Sequence, residues 1–424
     1  MLGAELPLVT ALPFVALLLA IALAPLAVPE WWHDNRNKAL VALVISAPIL
    51  IYLGIHSPDL LQEKFHEYLS FIIVIGALFV VTGGIHVQGS LAGTPLVNTG
   101  MLGIGAVLAN LLGTTGASVL LIRPLLRANK RRKRVAHIAV FFIFMVANCG
   151  GLLTPIGDPP LLLGFLKGVP FDWTLRLWPQ WLLINGILLV VFNLWDQWAL
   201  NKDERELPGS QHEEVLIHEP LRITGGVEAL VLLGIIVTIV LAGSALVIVA
   251  LALIGYFAGS GERRTKNGFT FGPLIEVAVL FAGIFATMAP VLEMLNAWAQ
   301  RPDFELTKPV HFFWASGALS SVLDNAPTYL AFAASAAGLQ GVAPHGAYIG
   351  TLALDPVAGK LLAAISTGAV FMGANTYIGN APNFMVRAIA EENGVRMPSF
   401  FGYMAYSVGI LLPLFFLVSV VFFR

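Results

Sequence analysis

Only one cysteine, Cys149, stands among 424 residues, so the chain can form no intrachain disulfide and no cysteine-based metal cluster. Charge is scarce as well. Asp, Glu, Lys and Arg make up 12% of the residues, against roughly 25% in soluble domains. Hydrophobic residues make up 57%, and the mean hydropathy is +0.82. The first apolar run, Leu8 to Val28, lacks a preceding basic segment and reads as a span, not a cleaved leader. No polar stretch is long enough for a soluble domain. What is present is a series of apolar runs of about 17 to 25 residues, each able to cross a ~30 Å hydrocarbon core. The sequence therefore predicts an all-α polytopic membrane protein, with about ten full spans and two re-entrant hairpins.

The few charges are unevenly placed. "RPLLRANKRRKR" (123–134) holds seven of the 24 Lys and Arg residues. Such a run can be a lipid or nucleic-acid patch, but between membrane spans it more often marks the cytoplasmic side. Fixing it there and alternating the spans brings loops 30–38, 197–226, 259–271 and 391–400 to the same side. The five segments together hold 16 of the 24 basic residues. The pattern predicts a multi-pass protein of the cell inner (plasma) membrane, partnered by lipid and not by nucleic acid.

The polar segment 201–226 splits the spans into two sets of six, which invites a search for repetition. "TPIGDPP" (154–160) matches "TYIGNAP" (376–382) at an offset of 222 residues. In the same order, "GTTGAS" (113–118) lies over "LDNAPT" (323–328) at 210, and more weakly "GALF" (76–79) over "GIFA" (283–286) at 207. The first repeat is thus read over 1–200, with a hairpin at 97–122 and a broken helix at 136–167. Segment 201–226 is a cytoplasmic linker. The second repeat covers 227–424, with a hairpin at 311–337 and a broken helix at 361–391. With the basic loop inside, the halves have opposite topology, a pattern found in secondary transporters.

Irregular backbone at membrane depth survives only where it is packed in protein or lines a wet cavity. The Gly-Asp-Pro-Pro break in "LLTPIGDPPLLLGFL" (152–166) therefore predicts a polar site. One half-helix ends near Ile156 and another starts at Pro159 or Pro160, where a missing N–H costs nothing. Freed carbonyls suit a cation and freed N–H groups an anion. Asp158 favours the cation: an ionised Asp at the bilayer centre costs about 3 kcal/mol, so such residues face a pathway. Asp324, in "SSVLDNAPTYL", is the second candidate. The repeat pairs Asp158 with Asn380 and Asp324 with Thr114. If each hairpin tip meets the break of its own half, one site collects Thr114, Thr115, Thr154, Gly157 and Asp158. The other collects Asp324, Asn325, Thr328, Asn375, Thr376, Gly379 and Asn380. Hard oxygen donors of this kind suit Na⁺, whereas a soft transition metal would want Cys or clustered His. His86 and His137 stand isolated and read as structural, and no cofactor is expected.

At these residues the sequence resembles the ion transporter superfamily of citrate and dicarboxylate/sodium symporters, arsenite-type permeases and NhaD-type sodium/proton antiporters. "GGLLTPIGDPPLL" looks like that superfamily's broken-helix loop, "GANTYIGNAPNFMV" like its counterpart in the second half, and "SSVLDNAPTYL" like the second hairpin tip. The resemblance covers roughly residues 60–200 and 225–423. It implies a scaffold domain, a mobile transport domain holding hairpins and broken helices, sodium sites at the tips, a homodimer and elevator-like movement. The Ser-Asn-Thr tips of the carboxylate symporters are missing here, which places the sequence nearer the antiporter branch.

Two functions compete. The first is exchange of Na⁺ or Li⁺ for H⁺: burial disfavours a charged carboxylate, so Asp158 and Asp324 would hold a proton and yield it to an arriving cation. The alternative is sodium- or proton-coupled symport of citrate or a dicarboxylate. That reading lacks an obvious fixed cation, since Arg387 reads as snorkelling to the interface. An intramembrane protease with an Asp158–Asp324 dyad would leave the duplicated hairpins without purpose, so no enzymatic activity is expected.

Overall fold

The structure, a computed structural model, describes residues 6–206, 219–241 and 243–424; residues 207–218 of the expected linker lie outside these. Two one-turn helices aside (Pro29–His33 and Gly261–Lys266), the helices in chain order are α1 (Leu12–Ala27), α2 (Asn35–His56), α3 (Pro58–Thr82), α4 (Pro95–Ala128), α5 (Ala136–Met145), α6 (Pro159–Leu166), α7 (Trp178–Glu206) and α8 (Gly226–Val240). They continue as α9 (Ala245–Ala258), α10 (Gly272–Ala299), α11 (Pro309–Ser320), α12 (Asn325–Leu339), α13 (Tyr348–Leu354), α14 (Ala358–Met372), α15 (Ala381–Glu392) and α16 (Phe400–Phe422). Proline in the first turn opens many of them, including α3, α4, α6 and α11, where its fixed φ suits the helix and its missing N–H is no loss. Among the described residues eight helices are long and apolar enough to cross a membrane; α8 and α9 are apolar but shorter.

The helices pack as two groups. α1, α2, α3, α8, α9 and α10 lie on one another; the remaining ten form the second group, and α10 packs along α12 between them. α4 is one of two elements that turn back. Thirty-four straight helical residues would span about 50 Å, yet Asn98 at its start and Asn129 just past its end exchange side-chain hydrogen bonds of 2.9 and 2.8 Å. The turn is Gly113, whose φ of 75° lies in the left-handed region open to glycine. α11 and α12 reverse over residues 321–324, so that the rings of Phe312 and Phe332 come within 6.3 Å. Both elements are hairpins.

One face of the molecule gathers the basic run. Arg123 Nη1 donates to Asn267 O at 2.9 Å, Asn35 Nδ2 to Gly272 O at 3.0 Å, and Arg127 Nη2 to Val87 O at 2.9 Å. Two short strands not foreseen from the sequence, β1 (His86–Ser90) and β2 (Glu219–Thr224), pair antiparallel beside them. Three of the basic residues pair with acids of α7: buried Arg132 with Asp196 at 2.5 Å, exposed Lys133 with Glu206 at 2.8 Å, and Arg134 with Asp203 at 2.5 Å. His137 is not isolated, because its Nε2 meets Asp196 Oδ1 at 2.8 Å, and His86 Nδ1 meets Asn267 Oδ1 at 2.5 Å. Both histidines hold structure. The apolar pattern alone puts the third span at about 67–88, but its helix starts nine residues earlier, at Pro58, and α13 joins α14 at a 112° bend that the sequence did not announce.

Asp196 is the buried hub at the base of the first hairpin, taking bonds from Arg132, His137 and Asn98. Breaking such a pair strands a buried charge at about 3–5 kcal/mol. Asp196→Ala should therefore lower the thermal unfolding midpoint in detergent sharply. An unchanged midpoint would show that the hub is solvated.

Candidate functional site

The two breaks have the same local architecture. After α5 the chain makes a 3₁₀ turn (Cys149–Leu153), extends at Thr154 (φ −136°, ψ 154°) and reaches Asp158 (φ −146°, ψ 145°) as the N-cap of α6. After α14 it makes a 3₁₀ turn (Gly373–Asn375), extends at Thr376 (−137°, 166°) and reaches Asn380 (−153°, 140°) as the N-cap of α15. Each break closes on itself through glycines six residues apart. A Cβ on Gly157 would overlap the carbonyl oxygen of Gly151, and one on Gly379 would lie 2.6 Å from that of Gly373. The signature glycines are therefore required by close backbone approach.

Each hairpin tip docks on a break by hydrogen bonds, most of them to backbone. Thr114 N donates to Gly157 O at 2.8 Å, and Thr154 Oγ1 to Asn110 O at 2.5 Å. In the second half Thr376 Oγ1 donates to Ser321 O at 2.5 Å and Asn375 Nδ2 to Ser321 Oγ at 2.9 Å. Thr154, Thr376 and Asn375 thus hold hairpin to break, and Thr328 Oγ1 bonds to the backbone oxygen of Asp324.

The polar side chains do not sort by halves. Asp158, 2% exposed, accepts from Thr114 Oγ1 at 2.8 Å and more distantly from Asn380 Nδ2 at 3.3 Å on Oδ1, and from Asn325 Nδ2 at 2.5 Å on Oδ2. Both hairpins and both breaks meet at this one carboxylate. Asn325 and Asn380, grouped with Asp324 from the sequence, turn to Asp158 instead. Asp324 caps its own helix, with Oδ1 3.0 Å from Ala326 N. The buried Oδ1 of Asn325, on the same amide that bonds to Asp158, lacks a hydrogen-bond partner, so one acceptor beside the centre remains for a ligand.

A cavity of about 420 Å³ leads to this centre. Its inner wall includes Thr114, Thr115, Asp158, Asp324 and Asn380. It continues past Leu78, Phe79, Phe281 and Ile284 to Trp32, His33, Lys38 and Glu276, close to the basic face. Lys38 is tied to Glu276 at 2.8 Å. Among the described residues no group of three or more His, Cys, Asp or Glu side chains could hold a metal ion.

Asn148 and Asn383 were not singled out in the sequence, yet both are fully buried and brace the centre. Asn148 Nδ2 donates to Asn383 Oδ1 at 2.7 Å, and Asn380 Nδ2 approaches Asn148 Oδ1 at 3.2 Å. Asn383 Nδ2 donates to Gly373 O at 2.8 Å and Thr376 O at 2.9 Å, satisfying carbonyls that the break frees. The only signal was an amide inside an apolar run. Asn383→Leu leaves those two carbonyls without a donor, at about 1–3 kcal/mol per buried group. We expect a lowered unfolding midpoint in detergent; an unaltered midpoint would mean that the break does not rely on this amide.

The family model CitMHS_2, described as "Putative citrate transport", matches residues 3–423. No curated protein matches the chain at a significant level. A polytopic helical fold, two broken helices meeting two hairpins at a buried carboxylate, and a match over nearly the whole length converge: the chain belongs to the CitMHS_2 family of membrane transport proteins.

Proposed function

We propose that the protein is a secondary active transporter exchanging Na⁺ or Li⁺ for H⁺, with Asp158 binding either ion in turn. One observation carries this. Five carboxylates are buried among the described residues, and four have a basic partner: Asp196 with Arg132, Asp203 with Arg134, Glu228 with Arg263, and Glu293 with His345. Around Asp158 only hydroxyl and amide donors are found, from Thr114, Asn325 and Asn380. Burying an uncompensated carboxylate costs several kcal/mol, so Asp158 is neutralised by a proton or by a cation. Asn325 suits both states, for turning its carboxamide offers Oδ1 either to the acid proton or to a cation. Asp324, on the wall of the same cavity, supplies a second carboxylate. Halves 1–200 and 227–424 act as inverted repeats with the basic face cytoplasmic. Support comes from the matched dihedrals and glycine contacts of the two breaks.

Symport of citrate or a dicarboxylate is the second reading, favoured by the family's description. The cavity wall weighs against it. Its one lysine is paired with Glu276, and Arg387, nearby on α15, bonds to Glu391 at 2.9 Å. A tricarboxylate would find no unengaged Lys or Arg among these.

In proteoliposomes with a dye-reported pH gradient, Na⁺ or Li⁺ should collapse the gradient, while K⁺ or sodium-free citrate should not. Asp158→Asn should abolish the response in protein that still inserts. Thr114→Val removes a donor that steadies the ionised carboxylate, worth about 1.5 kcal/mol, and should weaken cation affinity about tenfold. A full Na⁺ response in Asp158→Asn, or a response only to citrate and Na⁺ together, would exclude the exchange mechanism.

A further inference from the structure

A second set of charged side chains lies away from the cavity mouth and takes no part in the centre. Glu63, Lys64 and Glu67 stand in the first turns of α3, and Glu293 stands toward the end of α10, all in the first helix group. Lys167 follows the last turn of α6, and His345 lies in the loop between α12 and α13, both in the second group. The charges cross between groups. Lys167 Nζ meets Glu67 Oε1 at 2.6 Å, His345 Nε2 meets Glu293 Oε1 at 3.2 Å, and His345 Nδ1 is 3.7 Å from Glu63 Oε2. Gly346 N donates to Glu63 Oε1 at 3.1 Å, and Lys64 adds a 3.0 Å bond to Glu67 within the first group.

The position of this cluster gives it meaning. α3 and α10 touch through an aromatic layer in which Phe71 stacks on Phe281 at 4.8 Å and Tyr68 meets Phe285 at 6.0 Å. The cavity lines α3 at Ile75 to Phe79 and α10 at Pro273 to Ile284. Glu67 precedes Ile75 by eight residues and Glu293 follows Ile284 by nine, so the cluster sits about 12–14 Å further along the same two helices. Asp158 is therefore open toward the basic face and covered toward the opposite one. α6 connects the two levels, with Asp158 at its N-terminus and Lys167 past its C-terminus, where the helix dipole favours a cation.

We infer that the cross-group contacts of Lys167 and His345 with Glu63, Glu67 and Glu293 form the gate of the opposite face, a clasp that holds the molecule open to the basic face. Access to Asp158 from the other side requires Lys167 and His345 to leave α3 and α10. Because α6 carries both Lys167 and Asp158, opening the clasp moves the binding centre with it. This inference does not depend on which solute is carried.

The single native cysteine, Cys149, is buried, so one engineered thiol can report the state. Phe384 lines the cavity and is 40% exposed. In Phe384→Cys protein, a membrane-impermeant maleimide should label from the basic-face side of oriented vesicles. Adding Lys167→Gln or His345→Ala should slow that labelling at least threefold, whereas Lys167→Arg, which can keep the pair, should not. His345, with a half-exposed ring, carries the test should Lys167→Gln fail to elute as a monodisperse species. Unchanged labelling in His345→Ala and in any folded Lys167→Gln protein would overturn the clasp. An equal slowing in Lys167→Arg and Lys167→Gln would overturn it too, since loss of packing rather than of charge would then be responsible.

Discussion

The centre of the molecule depends on a carboxylate that the fold surrounds with neutral donors only. At two other buried acids a base is met and the result is fixed structure: Asp196 with Arg132 anchors a hairpin, and Glu228 with Arg263 ties a helix start to the basic face. A base against Asp158 would have made it one more anchor. Hydroxyl and amide partners instead stabilise its position while leaving its charge unanswered, so occupancy by a small positive species becomes part of its stability. The surrounding breaks and hairpins follow from that requirement. Two hairpin reversals and two helix breaks are needed to bring polar groups from distant parts of the sequence to one point in the bilayer.

The breaks were legible because their causes are local. Gly-Asp-Pro and Gly-Asn-Ala-Pro punctuate an apolar run at the residue where the helix stops, and the glycines and the helix-starting prolines do in the structure what their chemistry dictates. The grouping of the site was not legible. Whether Asn325 turns toward Asp324 or toward Asp158 is decided by how the second hairpin packs on the first break, which no window of sequence contains. Asn148 and Asn383 were hidden for a related reason. A buried amide that satisfies backbone carbonyls looks in sequence like any polar residue in a greasy helix. The early start of α3 was missed because Glu63, Lys64 and Glu67 resemble a solvated loop; the cross-group partners of Glu67 and Glu63, Lys167 and His345, lie at least 100 residues away.

The near-identity of the two breaks contrasts with the asymmetry of what they hold. Backbone angles, 3₁₀ turns and glycine contacts repeat almost unchanged, yet one N-cap is Asp158 and the other Asn380. Two copies of one backbone device thus supply one charged and one neutral ligand to a shared centre. The neutral copy also serves as the brace, through Asn383 and its bond to Asn148.

The pairing of three bases of this run with acids on α7 has a consequence for how the protein is made. Arg132, Lys133 and Arg134 find their acidic partners 64 to 73 residues further along the chain, on α7. A growing polypeptide exposes the bases first, during the interval when positive charge directs a segment's orientation in the membrane. Once α7 is in place, Asp196, Asp203 and Glu206 neutralise them. The orienting signal is spent during biogenesis and then becomes a lock, so a helix α7 inserted the wrong way round would leave that lock visibly open to cellular quality control.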